Sequence, residues 1–391
     1  MDSFSESFQN AMVIMEGVQM KFYIHIGTHK TGTSVIQTFL RKNRKVLKKD
    51  NVIYISIPYF WYNICKYNKF KDIPQEIITK SVNYFNKYAR MYKIGILSWE
   101  CLSGNIYKGY TNAHVIAEFL SKVFDRYDTY IILFLRRQDD FLESFYMQMI
   151  HEGNILTFEE FKKIYIKPGE GYFDYLHIIR SYEEFFSNKV LLNIYDKKRY
   201  SKDFNQIIFD FLLITNLHKN EAFIYVKNTS DGNVGFSKEA YLISQLLYPK
   251  LSAQERAFLR NIMQEFLPKK FYESYSFFSP EERLEILRSY EMSNSEIAKI
   301  YFGKKDLFDF KIEDDGIKDD KIYMNPYCSL ETSDDLKVNE IYLIINTILI
   351  KYLSRMEKTM KQKQLKQKVR RFINSYRITR KMKEYLKSFF L

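Results

Sequence analysis

Five runs in the first half of the chain are apolar almost without interruption: Lys21 to Gly27 (KFYIHIG), Asn51 to Ile57 (NVIYISI), Lys93 to Ser98 (KIGILS), Thr129 to Arg136 (TYIILFLR) and Lys189 to Asp196 (KVLLNIYD). Strict alternation would mark strands with one wet face. Continuous apolar character marks strands covered on both faces, as in a parallel sheet. Between these runs, TSVIQTFLRKN, IPQEIITKSVNYFNKYA, NAHVIAEFLSKVF and DDFLESFYMQMIHEG place apolar residues at helical spacing. Strands alternating with helices predict an α/β fold, a doubly wound parallel sheet flanked by helices.

From about Ser201 the pattern turns mostly helical. SKEAYLISQLLYPKL and SAQERAFLRNIMQEF predict two helices, and SPEERLEILRSYEMSNSEIAKIYF predicts a third. The third opens on Ser279-Pro280, with Glu281 and Glu282 in its first turn, a strong helix start. Residues 308–327 are acidic and turn-rich, lack the spacing of an EF-hand calcium loop, and are expected to form a solvated loop. The expected organisation is an N-terminal extension over 1–20, an α/β core over 21–215, a largely helical region over 216–335, and a tail over 336–391. There is no internal repeat.

Composition narrows the class. The 391 residues are 46% hydrophobic and 17% aromatic, with 13 Gly and 7 Pro, which describes a globular chain rather than a disordered or fibrous one. Cys65, Cys101 and Cys328 are odd in number, widely spaced and free of any C-x-x-C pair. That argues against a disulfide framework or a zinc site and fits a reducing compartment. The first 20 residues have no basic n-region and no long apolar run, so no signal peptide is expected. The longest apolar run, Ile341 to Ile350, is too short to span a bilayer. The expectation is a cytoplasmic protein.

Charge adds one asymmetry. Residues 351–391 hold 14 Lys/Arg against 2 Asp/Glu, a net of +12 out of +13 for the whole chain. The tail also places Leu365, Val369, Phe372, Ile373 and Tyr376 near one helical face. A basic amphipathic helix over 361–391 reads as a peripheral anchor on an anionic membrane surface, or as a terminal helix docking on its own body or on a second copy. Nucleic acid fits less well, because the body is nearly neutral and no known nucleic-acid-binding fold surrounds the tail.

The segment IHIGTHKTGTSVIQTFL, Ile24 to Leu40, carries the chemistry. A P-loop reads G-x-x-x-x-G-K-[ST]. Here Gly27 and Gly32 keep the four-residue gap, but Thr33 stands where Lys belongs and Lys30 lies inside the loop. A buried strand, a loop and then a helix beginning near Thr33 would aim backbone N–H groups and a helix dipole at one anion. Thr31, Thr33 and Ser34 add hydroxyls. An ATP-using site also needs an acidic metal ligand after another strand. The comparable strand ends in Arg136 and Arg137. Cations at two strand ends suit a ligand with two separated anionic groups and no obligatory metal.

HKTGTS resembles the 5′-phosphosulfate loop of sulfotransferases that use 3′-phosphoadenosine 5′-phosphosulfate (PAPS), in the manner of their bacterial carbohydrate-type members. LRRQDDFLESFYMQ resembles the family's second motif, a strand followed by Arg, then Ser eight residues later, here Arg136 and Ser144. The resemblance covers roughly residues 20 to 215, with a vaguer likeness through residues 279–303. The R-K-G-x-x-G motif of the cytosolic small-molecule members is absent.

The resemblance implies a P-loop-like fold and PAPS as donor. It also implies Thr31, Gly32, Thr33 and Ser34 on the 5′-phosphate, Arg136 and Ser144 on the 3′-phosphate, and Lys30 at the bridging oxygen. The implied acceptor is a saccharide or lipid-linked saccharide hydroxyl. Glu100, just past a predicted strand end, ranks first as the base, His29 second and His151 third, while His25 reads as core. Two other readings stay open: a nucleotide or sugar kinase with a degenerate P-loop, and a non-catalytic membrane-associated protein.

Overall fold

The computed structural model describes residues 20–308, apart from 168, 204, 227–235 and 268–274, together with 322–323. The N-terminal extension, most of the acidic segment and the whole basic tail lie outside the described residues.

Strands β1 (Lys21–Gly27), β2 (Val52–Tyr54), β3 (Ile94–Ser98), β4 (Asp128–Leu135) and β5 (Val190–Ile194) form one sheet in the order β2-β3-β1-β4-β5. Each neighbouring pair is parallel, with Lys21 opposite Ile94 on one side of β1 and opposite Asp128 on the other. The helices in chain order are α1 (Thr33–Lys42), α2 (Arg44–Lys49), α3 (Gln75–Ala89), α4 (Ala113–Phe124), α5 (Gln138–His151), α6 (Phe158–Tyr165), α7 (Tyr175–Glu183), α8 (Lys197–Lys202), α9 (Asn205–Ile214), α10 (Lys238–Leu247), α11 (Ala253–Phe266), α12 (Pro280–Ser289) and α13 (Glu291–Ile297). This is the expected α/β class. No helix among the described residues is long and apolar enough to cross a membrane.

Both faces of the sheet are covered, which is why its strands read as continuous apolar runs. Phe22 of β1 packs edge-on against Phe85 of α3 and Phe124 of α4. Side chains alternate along a strand, so Tyr23 and His25 point the other way, into a core shared with Ile36, Phe39 and Leu40 of α1 and Ile207, Ile208 and Phe211 of α9. Helix α9 is apolar nearly all round, and Ile207, Ile208, Phe211 and Leu212 are all buried.

The chain divides into two compact units. The first holds the sheet with residues 20–146, 158–226 and 276–308 of the described chain. In it, the predicted helix over 279–302 is interrupted. Helix α12 begins with a capping box between Ser279 and Glu282 and stops at Tyr290, whose hydroxyl donates to the carbonyl of Tyr172 at 2.9 Å. Helix α13 follows, and residues 298–302 form a single π-turn. The second unit holds residues 147–157 and 236–267. Its helix α11 opens on a capping box between Ser252 and Glu255, and its helix α10 on the Ser237 side chain, which accepts from the N–H of Ala240.

Candidate active site

In an open parallel sheet, ligands bind outside the carboxyl ends of the strands, where the strand order reverses. Here that point is β1: the chain runs from β1 out to β2, returns through β3 beside β1, then crosses to β4 on the other side. The loop after β1, Glu100 after β3, Arg136 after β4 and Tyr195 after β5 all follow carboxyl ends of this sheet.

The loop over Thr28–Gly32 is held from several directions. The Thr28 N–H donates to the carbonyl of Phe134 at 3.1 Å, and the Thr28 hydroxyl to the same oxygen at 3.3 Å. The Thr31 hydroxyl turns inward and donates to the Thr28 carbonyl at 2.5 Å. Arg136 Nη1 donates to the Lys30 carbonyl at 2.9 Å, tying the loop to the end of β4. Lys30 is in the left-handed region, at φ 61°.

Two glycines make this arrangement possible. Gly27 has φ +98°, and a Cβ there would meet Glu100 Cβ at 3.1 Å, so the strand end and the Glu100 backbone share one space. Gly32 has φ +78°, and its Cβ would meet Ile207 Cδ1 at 2.4 Å. It is also the N-cap of α1, which has no side-chain cap and no acidic residue in its first turn. The helix therefore begins with N–H groups that no capping side chain satisfies.

Two buried polar atoms here lack a partner: Thr33 Oγ1 and Arg136 Nε. Buried polar groups are almost always satisfied, so these two, one at the start of α1 and one on the arginine that holds the loop, call for a cause. Beside Lys30 they fit an anionic ligand. The Arg136 guanidinium lies 5.4 Å from the Tyr195 ring centroid, and Tyr175 donates its hydroxyl hydrogen to the Arg136 carbonyl at 2.7 Å.

Arg137 is placed differently. It forks onto Asp139 through Nε at 2.8 Å and Nη2 at 2.9 Å. Asp139 is fully buried and also receives Arg283 Nη1 at 2.6 Å, while Arg283 Nη2 reaches Glu143 at 2.6 Å. Ser144 sits on α5, which starts directly after Arg137, and is half-buried. Ser34, on the first turn of α1, is exposed.

Glu100 begins a short 3₁₀ turn, Glu100–Ser103. Gln37 of α1 donates through Nε2 to Glu100 Oε2 and to the Ser98 carbonyl, each at 3.2 Å. The carboxylate is thus half-buried and oriented from the same helix that carries Thr33.

His29 is almost fully buried, with its Nδ1 2.9 Å from the hydroxyl of Tyr110. That hydroxyl also accepts the His29 backbone N–H at 3.3 Å. Burial, and secondarily the Lys30 charge, pull the imidazole down to about 3, so it is neutral at pH 7. His25 is core, as expected: it is fully buried, bonded through Nδ1 to Ser98 Oγ at 2.8 Å, and pulled down to about 3 by burial. His151 lies in the second unit, against Gln264 Nε2 at 2.6 Å and the Phe236 ring.

Sequence reasoning had no signal for Gln37, Tyr110, Tyr175 or Tyr195. Each acts across 39 residues or more, and the Tyr195 ring meets Arg136 from the neighbouring strand end.

No family model matches the chain. Over 181 residues it is 30% identical to an uncharacterized protein of Archaeoglobus fulgidus, a match covering 46% of this chain and 47% of that protein. The chain thus spans about half the length of this relative. Among solved structures, it is similar to a sulfotransferase from Alicyclobacillus acidocaldarius at 15% identity and a TM-score of 0.32, over 62% of this chain and 96% of that one.

Proposed function

We propose that this chain moves a sulfuryl group from PAPS to a hydroxyl on a saccharide or lipid-linked saccharide. The observation that carries the reading is the pair of unpartnered buried atoms, Thr33 Oγ1 and Arg136 Nε, beside an uncapped helix N-terminus. A ligand with two anionic groups, one at Thr33 and the helix N–H groups and the other at Arg136, would satisfy each of them.

The donor supplies an already activated sulfuryl group. In this reading Thr31, Gly32, Thr33 and Ser34 hold the 5′-phosphate through backbone and hydroxyl donors. Thr31 contributes through its backbone, because its hydroxyl is committed to Thr28. Arg136, with Ser144 on the following helix, takes the 3′-phosphate. Arg137 leaves that role to its neighbour, since Asp139 holds it on two nitrogens. Lys30 brings positive charge to the leaving oxygen, where a charge that grows in the transition state is stabilised more than the ground state.

Glu100 accepts the acceptor's proton. Its carboxylate is held by Gln37, and its backbone lies against Gly27 at the loop's entrance. His29 is a weaker proton acceptor at neutral pH, because burial has already stripped its basicity and Tyr110 occupies Nδ1. It serves the loop's shape.

Calorimetry tests the donor half. The full-length protein should bind 3′,5′-adenosine bisphosphate without Mg²⁺, and more tightly than ATP with Mg²⁺. A preference for ATP·Mg²⁺ would favour the kinase reading, and binding of neither nucleotide would remove the donor site. A screen of saccharide acceptors with labelled PAPS then tests the acceptor half.

A further inference from the structure

The turn between β4 and α5 consists of Arg136 and Arg137 alone, so the direction of the Arg136 side chain depends on how the first turn of α5 is held. Helices α12 and α13 hold it. Arg283 of α12 reaches the buried Asp139. Gln138, the first residue of α5 and fully buried, pairs with Asn294 of α13, which is almost fully buried. Gln138 Nε2 donates to Asn294 Oδ1 at 2.9 Å, and Asn294 Nδ2 donates to Gln138 Oε1 at 3.1 Å. Two opposed N–H···O bonds between planar amides fix rotation as well as distance, whereas a single bond leaves rotation free.

The residue before Asn294 bears on Arg136 by a second route. Ser293 Oγ donates to Asp174 Oδ2 at 3.0 Å. Asp174 caps α7, its other carboxylate oxygen accepting the N–H of Leu176 at 2.9 Å. Between these two residues stands Tyr175, whose hydroxyl donates to the Arg136 carbonyl. Adjacent positions on α13 therefore grip Arg136 through Tyr175 on one side and through Gln138 on the other. Arg136 passes that grip to the loop through its Nη1 bond to the Lys30 carbonyl. Two apolar side chains would fill the space of the buried amide pair with no polar group to satisfy. A satisfied polar pair specifies one arrangement where apolar packing accepts several.

We propose that Ser293 and Asn294 are positioning residues that brace the β4–α5 turn, so that Arg136 is aimed at a phosphate while it ties down the loop. That this phosphate is the 3′-phosphate of the donor rests on the function proposed above, whereas the brace itself does not.

Removing one amide would leave the other buried without a partner, and a loss of binding there would not separate position from stability. The test therefore removes both. In the full-length protein, Gln138→Met combined with Asn294→Leu keeps apolar volume at both sites and should keep the urea midpoint near wild type. It should bind 3′,5′-adenosine bisphosphate about tenfold more weakly, the weight of roughly one hydrogen bond, with AMP affinity unchanged. Hydrogen exchange should speed up over residues 28–34 and 136–140 and stay at the wild-type rate over β5. Ser293→Ala removes one half-buried hydroxyl and should give the same split between the nucleotides at about threefold, which decides the matter if the double variant does not fold. Wild-type discrimination in every folded variant, or equal weakening of both nucleotides, would overturn the proposal. If the wild-type protein binds neither nucleotide, the donor reading falls and exchange alone decides. Faster exchange over 136–140 in the variants would then uphold the brace, and unchanged exchange would overturn it.

Discussion

Arg136 and Arg137 are adjacent in sequence, yet they differ in what a substitution should do. Arg137 is bonded on two nitrogens to a buried carboxylate, whereas Arg136 keeps a buried Nε without a partner at the loop. Losing a charge-assisted contact costs roughly 1.5–3 kcal/mol, or about 10- to 100-fold in affinity. Arg136→Ala should weaken binding of 3′,5′-adenosine bisphosphate by that factor and shrink its advantage over AMP. Arg137→Ala should instead lower the urea midpoint, because it strips one partner from buried Asp139, and leave nucleotide discrimination near wild type. Calorimetry with both nucleotides and urea titrations of both variants separate the two roles. Glu100→Gln keeps the shape of the side chain and removes its basicity. Turnover should fall by about 10²- to 10⁴-fold, the usual contribution of a general base, with donor affinity unchanged. A loss below about threefold would remove Glu100 as the base.

At the scale of elements, the strand–loop–helix unit from β1 to α1 depends on Gly32. Its positive φ and the 2.4 Å approach of Ile207 Cδ1 leave no room for a methyl group without shifting α9 or the loop. Gly32→Ala should therefore lower the thermal midpoint and weaken bisphosphate binding together, since both depend on one backbone geometry. A variant with full stability and full binding would show that the loop accommodates a side chain there. The elements also show where periodicity stops informing. Strand β1 was legible to the residue because its apolar run ends at a glycine. Strand β2 ends at Tyr54, three residues before the expected Ile57, although the Ile55 N–H still reaches the Ile96 carbonyl at 2.9 Å. Helix α9 gives no helical stripe to read, because NQIIFDFLLI is apolar on nearly every side.

For the molecule as a whole, two buried imidazoles set an acid limit. His25 and His29 are both held near 3, against 6.5 in an open chain. Between those values the unfolded chain binds more protons than the folded one, so stability is fully present above about pH 6.5 and falls as pH drops toward about 3. A series of urea midpoints from pH 7 to pH 4 should fall more steeply for the native sequence than for His25→Gln, whatever that variant costs at neutral pH. Parallel slopes would mean that carboxylates alone set the limit. The tail makes a second prediction at this scale. Residues 361–391 hold 11 Lys/Arg and 1 Glu, a net of +10. With each charge worth on the order of 1 kcal/mol at an anionic surface, we propose that the full chain pellets with anionic vesicles at low salt. It should be released at high salt and ignore neutral vesicles, while a chain ending at residue 360 stays in solution. If both forms stay in solution, the tail does not bind membranes.

Local chemistry was enough to determine the class of fold and the centre of the candidate site. The apolar strand runs encode burial on two faces, and β1, its glycine-bounded loop and α1 are contiguous, so spacing alone places Gly27, Lys30, Gly32 and Thr33 together. Tertiary structure decided everything that depends on distant segments meeting. The sheet order put β3 and β4 on either side of β1, and with them Glu100 and Arg136 beside the loop. It sent Arg137 and Arg283 to Asp139, placed Gln37 on Glu100, and buried His29 against Tyr110. None of these pairings has a sequence period, because each is set by where the strands lie in the sheet and which side chains its covering helices leave no room to move.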